Sequence, residues 1–335
     1  MVDFSPEAAQ MQSMEVYLLD KKKELSDLIT SMYPGREILY FLDSKVKLFH
    51  VDVVDAMNSF PIFAGERAKS VVGVMDVQNQ LINSDSKDPI VVVMGGGTVL
   101  DTSGFALATF TKKLKTIFVP TTFSSQLEGF FKEDVYINFD RVKDVMKVRF
   151  QPNLLVNVME FTKTQSFEEK RNSFIHAAII GLSHSKRFFR TAFKVLTSNL
   201  LSNEEMIKYI LFESIQMRAN TKGRLVGEES ARALITASKL EMPYLTALQY
   251  GVLIESFISN KFGFLSDESL KEVYNSVRMC GNVHFDLSSA VEELSYQEEP
   301  LKVRLPIKIG SAIEYQIFPG FLTEMIYSAH SKGFI

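Results

Sequence analysis

The stretch IVVVMGGGTVLDTSGFALATF, residues 90–110, runs from an apolar, mostly β-branched segment through three consecutive glycines into a pattern with helical spacing. A strand that ends in Gly-Gly-Gly and feeds a helix lets backbone N–H groups approach an anion closely, and the helix N-terminus adds partial positive charge. The spacing is not G-x-G-x-x-G, so two readings stand side by side: a pyrophosphate cradle on Gly95, Gly96 and Gly97, or a tight strand-to-helix turn.

Working outward, REILYFLD (36–43), KLFHVDVV (47–54) and LKTIFVP (114–120) are further apolar runs. They alternate with helical patterns at KSVVGVMDVQNQLI (69–82) and at 98–110, which predicts a parallel sheet with crossover helices. Residues 7–32 read as one amphipathic helix, with Met14, Tyr17, Leu18, Leu25 and Leu28 on its apolar face, stopped by Tyr33-Pro34-Gly35. After Pro152 long helical patterns take over. The expected division is therefore an α/β Rossmann-like nucleotide-binding domain over 1–155 and an all-α domain over 156–335.

Two polar positions accompany the glycines. Asp43 follows a predicted strand, where a carboxylate can hold ribose hydroxyls or simply serve a turn. In FAGERAK, Gly65, Glu66 and Lys69 form either a polar loop beside a nucleotide or a solvated helix start.

The composition narrows the partners. The 335 residues, 46% of them hydrophobic, suffice for two modest cores. With 37 Lys plus Arg against 40 Asp plus Glu, the charge is too balanced for electrostatic capture of nucleic acid or an anionic membrane. The single cysteine, Cys280, excludes an internal disulfide framework and a thiolate zinc site and suits a reducing compartment. No apolar run approaches the roughly 20 residues that span a bilayer, and the N-terminal segment lacks a basic stretch followed by an apolar core. A soluble, cytoplasmic protein is expected.

LDSKV (42–46), GERAK (65–69), GGGTVLDTSGF (95–105), VPTT (119–122), QP (151–152), GEESARA (227–233) and LKVRLPIKIGSAI (301–313) together resemble the 3-dehydroquinate synthases and the wider sugar phosphate cyclases. The glycine run, Asp101 and Pro-Thr-Thr are also found in the related iron-dependent alcohol and glycerol dehydrogenases. The resemblance implies an NAD-binding domain, a helical domain carrying zinc, an active site in the cleft between them, and a homodimer. By position, Asp43, Glu66, Lys69, Gly95, Gly96, Gly97, Asp101, Thr121 and Thr122 would line the NAD site. Family enzymes use NAD transiently, oxidising a hydroxyl of a sugar phosphate and later returning the hydride, while zinc polarises that hydroxyl.

The same alignment implies that the metal ligands have changed. His176 falls at the family's zinc glutamate and Lys239 at its first zinc histidine. Pro243 takes the place of a substrate histidine, and the second zinc histidine falls at Tyr244 or Tyr250. An ammonium has no lone pair, so no metal site and no bound zinc are expected. Lys239 reads either as a stand-in for the metal's charge or as a surface residue on an amphipathic helix.

On the substrate side the family's aspartate becomes Glu128, and a lysine in a Gly-Gly-Lys turn becomes Asp134. Lys143 keeps its position with Asp144 after it, and Arg232 is retained. Arg218 stands for a lysine; both arginines also read as helix-surface cations. SYQEEP (295–300) replaces a lysine pair, and Phe130-Phe131 replaces small residues.

Three functions follow from the resemblance. The first is a divergent cyclase-like protein that binds NAD and a sugar phosphate or related small molecule, with Glu128, Lys143, His176, Arg232 and Lys239 facing the cleft. The second is a pseudoenzyme acting as a binding or scaffold protein, and the third an alcohol or glycerol dehydrogenase-like oxidoreductase.

Overall fold

The computed structural model describes residues 14–50, 53, 58–84, 87–128, 133–221, 223–281 and 285–335. They form two compact units, the first ending at Ser166, the second comprising Arg141–Lys143 and Phe167–Ile335.

The first unit runs β1 (Glu15–Leu19), α1 (Lys22–Met32), β2 (Ile38–Asp43), α2 (Ser44–Phe49), β3 (Ser59–Ile62), α3 (Val71–Asn83), β4 (Ile90–Gly95), α4 (Gly97–Thr109), β5 (Lys115–Pro120), α5 (Phe123–Glu128), β6 (Asp134–Phe139), β7 (Val142–Arg149) and β8 (Leu154–Val158). Six strands make one sheet in the order β1-β8-β5-β4-β2-β3, and all of its pairs are parallel. Strand β4 is buried along its whole length, as a β-branched run covered on both faces must be. Its register sets Met94 beside Leu42 and Gly95 beside Pro120, so Asp43 and Gly95, which end their strands, and Thr121, which follows β5, lie at the same carboxyl edge of the sheet. Helix α1 presents Leu25 and Ile29, one turn apart and no more than 2% exposed. Burying each contributes about 1.5–3 kcal/mol.

The N-terminal expectation is corrected. Residues 1–13 lie outside the described residues, but Glu15–Leu19 is a strand and the helix begins only at Lys22. Pairing with β8 overrides local spacing that suits a helix equally well. KLFHVDVV likewise opens as the end of α2 rather than as a strand. The unit boundary falls after Ser166 rather than at 155/156, because β8 belongs to the sheet.

The second unit contains α6 (Phe167–His184), α7 (Lys186–Thr197), α8 (Glu204–Ala219), α9 (Glu228–Ala237), α10 (Tyr244–Lys261), α11 (Asp267–Met279), α12 (Ser288–Ser295), β9 (Leu301–Lys308), β10 (Ser311–Ile317) and α13 (Pro319–Ser331). It is largely helical, not all-helical: β9 and β10 form an antiparallel hairpin. Helices α6 and α10 are buried over long continuous stretches, the mark of central helices. Gly251 lets α10 meet α9 backbone to backbone, since a Cβ there would collide with the carbonyl oxygen of Gly227. Among the described residues no helix is long and apolar enough to cross a membrane.

Candidate functional site

In the first unit, β4 delivers the chain to Gly96, the extended N-cap of α4. None of the three glycines has a left-handed φ, so backbone strain does not explain them. Space does, differently for each. A Cβ on Gly95 would lie 2.7 Å from Cβ of Val99, whereas one on Gly96 would meet Thr122 Cγ2 at 3.5 Å and one on Gly97 would meet Glu128 Oε2 at 3.8 Å. Gly95 is required by the turn itself, while Gly96 and Gly97, at a helix N-terminus, would each admit a Cβ at ordinary van der Waals distance. Gly95→Ala is therefore expected to lower stability by about 1–3 kcal/mol, and Gly96→Ala by less than about 0.5 kcal/mol. Paired urea unfolding curves check this, and equal losses would refute the distinction.

The polar loop beside the glycines is tightly organised. Gly65 N–H donates to Thr98 Oγ1 at 3.0 Å, tying the loop to the first turn of α4. Lys69, 3% exposed, pairs with Asp101 at 2.6 Å and Asp144 at 2.7 Å. Asn138 Nδ2 donates to the Glu66 carbonyl at 2.7 Å and to its carboxylate at 3.0 Å, and Asn138 Oδ1 accepts Asp144 N–H at 2.9 Å. Burial alone would pull the Lys69 pKa down; Asp101, then Asp144 and Glu66, outweigh it and hold the ammonium above its ordinary range.

The remaining first-unit candidates serve local caps. Asp43 Oδ1 accepts Lys45 N–H at 2.9 Å, capping α2. Thr122 Oγ1 accepts Ser125 N–H at 3.2 Å, capping α5. Thr121 is buried, and its N–H donates to the Gly95 carbonyl at 3.1 Å. The side chain of Glu128 reaches the glycine loop. Phe130 and Phe131 lie outside the described residues.

In the second unit, three candidate positions converge. His176 on α6 is 1% exposed, and its ring lies 5.9 Å from that of Tyr244 at the start of α10. Lys143 Nζ sits 5.2 Å over the same tyrosine ring, and Lys143 N–H donates to Thr236 Oγ1 of α9 at 3.2 Å. Tyr244, not Tyr250, thus accompanies His176. Lys239 is exposed on the turn after α9, in left-handed backbone with φ 55°; it is not on a helix. The buried lysine beside Tyr244 is Lys143.

The arginines are paired within the same unit. Arg232 Nη2 lies 2.5 Å from Glu229 Oε1, and Glu229 also holds Arg224. Arg218 is buried, 3.9 Å from Glu228, and so is not a helix-surface cation. Among the described residues no group of three or more His, Cys, Asp or Glu side chains is placed to hold a metal ion.

One buried acid escaped the sequence reading. Glu255 on α10, 0% exposed, accepts Gly227 N–H at 2.6 Å and Ser230 Oγ–H at 2.8 Å, joining α10 to the first turn of α9. Burial pushes its carboxyl up to about 7 against the opposing pull of those hydrogen bonds. A lone glutamate within the apolar run GVLIESFI was the available signal.

The family model for the 3-dehydroquinate synthase N-terminal region matches residues 59–172, a span that takes in the glycine loop, Lys69, Asp101 and Asp144. The chain is similar to the 3-dehydroquinate synthases. The enzyme of Saccharolobus solfataricus is 23% identical over 294 residues, 78% of this chain and 83% of its own. Two sugar phosphate cyclase structures share the fold. ValA, the 2-epi-5-epi-valiolone synthase from Streptomyces hygroscopicus with NAD+ and Zn2+ bound, superposes with TM-score 0.81 at 15% identity, covering 97% of this chain and 99% of its own. A 2-deoxy-scyllo-inosose synthase complexed with carbaglucose-6-phosphate, NAD+ and Co2+ gives 0.72 at 13% identity, covering 94% and 96%. These neighbours have the same architecture, a parallel-sheet unit and a largely helical one.

Proposed function

We propose that this chain is a divergent, cyclase-like protein that binds NAD on its parallel-sheet unit and does not run the ordinary zinc-dependent dehydroquinate reaction. The observation that carries the NAD reading is the pair of half-buried glycines, Gly96 and Gly97, at the N-terminus of α4, where a Cβ would make only ordinary van der Waals contact, at 3.5 and 3.8 Å, so that neither glycine is required by local packing. Backbone N–H groups of the first turn of α4 and its dipole would hold the pyrophosphate, with Thr122 alongside. Asp43 and Glu66 would be the carboxylates for the ribose hydroxyls. When bound, NAD supplies a hydride acceptor and donor.

The described residues of the second unit do not fit zinc. His176 brings one imidazole lone pair, while Lys143 brings a cation to the same tyrosine ring. A zinc ion takes three or four donors from Cys, neutral His or carboxylate, and a neighbouring ammonium opposes it. What this group offers instead is a proton acceptor at the imidazole and a fixed positive charge for an anionic oxygen of a sugar phosphate or related ligand.

A second reading, a binding protein without turnover, draws on a different observation. The one lysine of the polar loop is already held by two carboxylates, and Glu128 adds another near the cradle. Those charges weaken the grip on any phosphate.

Calorimetric titration of NAD into metal-analysed protein, beside Gly96→Ala, tests both. Micromolar binding with substoichiometric zinc, weakened about tenfold or more in Gly96→Ala, is the expected result. Absence of binding to folded protein sinks the NAD reading, and stoichiometric zinc that survives chelation sinks the metal-free one.

A further inference from the structure

The second unit holds a cavity of 390 Å³ that none of the candidate catalytic or cofactor residues lines. Its walls come from α10, α11, α12 and α13, with Leu253, Val277, Val291 and Ile326 supplying apolar surface. Gln249 also lines it; this side chain is 5% exposed, and its Nε2 has no hydrogen-bond partner. A buried amide donor left unmade costs about 1–3 kcal/mol.

The remaining polar groups include Arg278, Asp286 and His330, all exposed, and Tyr250. Two of these are engaged locally. Tyr250 Oη accepts Phe285 N–H at 3.5 Å, and Asp286 Oδ1 accepts Ser288 N–H at 2.9 Å, a bond that holds the Asp286 carboxyl below its usual range. Arg278 Cζ lies 5.6 Å over the Tyr274 ring, a cation–π contact, and the same guanidinium-bearing residue lines the cavity, where it can meet a carboxylate. Tyr250 and Tyr244 are six residues apart on α10, about 240° around a helix of 3.6 residues per turn, so the cavity and the His176 group use different faces.

We propose that this cavity is a second small-molecule site, taking an amphipathic carboxylic acid: an apolar, ring-sized body against Leu253, Val291 and Ile326, a hydrogen-bond acceptor toward Gln249 Nε2, and its carboxylate on Arg278. The volume suits a ligand of that size, and the three features together exclude a highly polar metabolite or a long lipid chain.

The test uses 3-(4-hydroxyphenyl)propanoate as probe on the full chain, with 3-phenylpropanoate and tyramine as comparisons, read by ligand-observed NMR titration. Saturable submillimolar binding of the hydroxylated acid is expected, with both comparisons weaker by about tenfold. Gln249→Leu should erase the preference for the hydroxyl, and Arg278→Gln the preference for acid over amine. Val291→Phe should abolish binding of all three while NAD affinity and unfolding midpoint stay as in the parent. No saturable binding at millimolar probe, or undiminished binding to a folded Val291→Phe, overturns the site.

Discussion

Replacing Lys69 by methionine is expected to lower the unfolding free energy by about 3–5 kcal/mol, the usual result of removing one partner from a buried charge cluster. The side chain is 4% exposed and holds Asp101 and Asp144, themselves only 14% and 16% exposed. Without the ammonium, two carboxylates face one another away from bulk water, each having lost its counter-charge. Restoring neutrality should then rescue: Lys69→Met combined with Asp101→Asn and Asp144→Asn is expected to recover most of the loss. Urea unfolding of the single and triple variants decides this. A loss below about 1 kcal/mol would mean that the cluster behaves like a surface ion pair.

The second large effect is a pH dependence centred on Glu255. Its carboxyl is raised from 4.5 to about 7 by burial. A folded-state pKa above the unfolded value means that the native state binds the proton more tightly. The associated stability is complete below about 4.5 and is lost as pH rises through about 7. The shift corresponds to a change on the order of 3 kcal/mol between those limits. Unfolding free energies at pH 5 and pH 8 should therefore differ more in the parent chain than in Glu255→Gln, whose amide does not titrate there. Equal pH dependence in the two proteins would remove Glu255 as the source. Gln places an NH2 against either Gly227 N–H or Ser230, so the variant should also be less stable than the parent at pH 5.

Much of the first unit was legible in the sequence because its central strands are buried on both faces. IVVVM and KTIFV are continuous apolar runs that fit a parallel sheet and little else, and the glycine run marked the turn between β4 and α4. The edge was harder to read. VYLL at 16–19 carries spacing compatible with either period, and only its pairing with β8 makes it a strand. Pro61 within β3 reads locally as a break, yet it sits on an outermost strand, where a missing N–H is tolerated. In the candidate site, alignment with the family brought out Lys143 and His176, which the structure sets around one tyrosine. It pointed equally to Lys239, which the structure leaves exposed because α9 ends at Ala237 and the next turn is left-handed. Asp144 and Glu255 act through partners distant in the sequence, Lys69 and Gly227. No periodicity encodes such pairs.

The parallel register of β1 with β8, from Glu15 opposite Leu154 to Leu19 opposite Val158, sets an order of events during synthesis. The strand that leaves the ribosome early has its sheet partner in the last strand of the unit to be made, and it lies at the outer edge of that sheet. Until β8 has emerged, β1 carries unpaired backbone donors and acceptors, and joining the two closes nearly the whole unit as one loop. The sheet is thus expected to form among its middle strands before β1 joins β8, and in that interval β1 is the strand of the sheet most in need of protection from other chains.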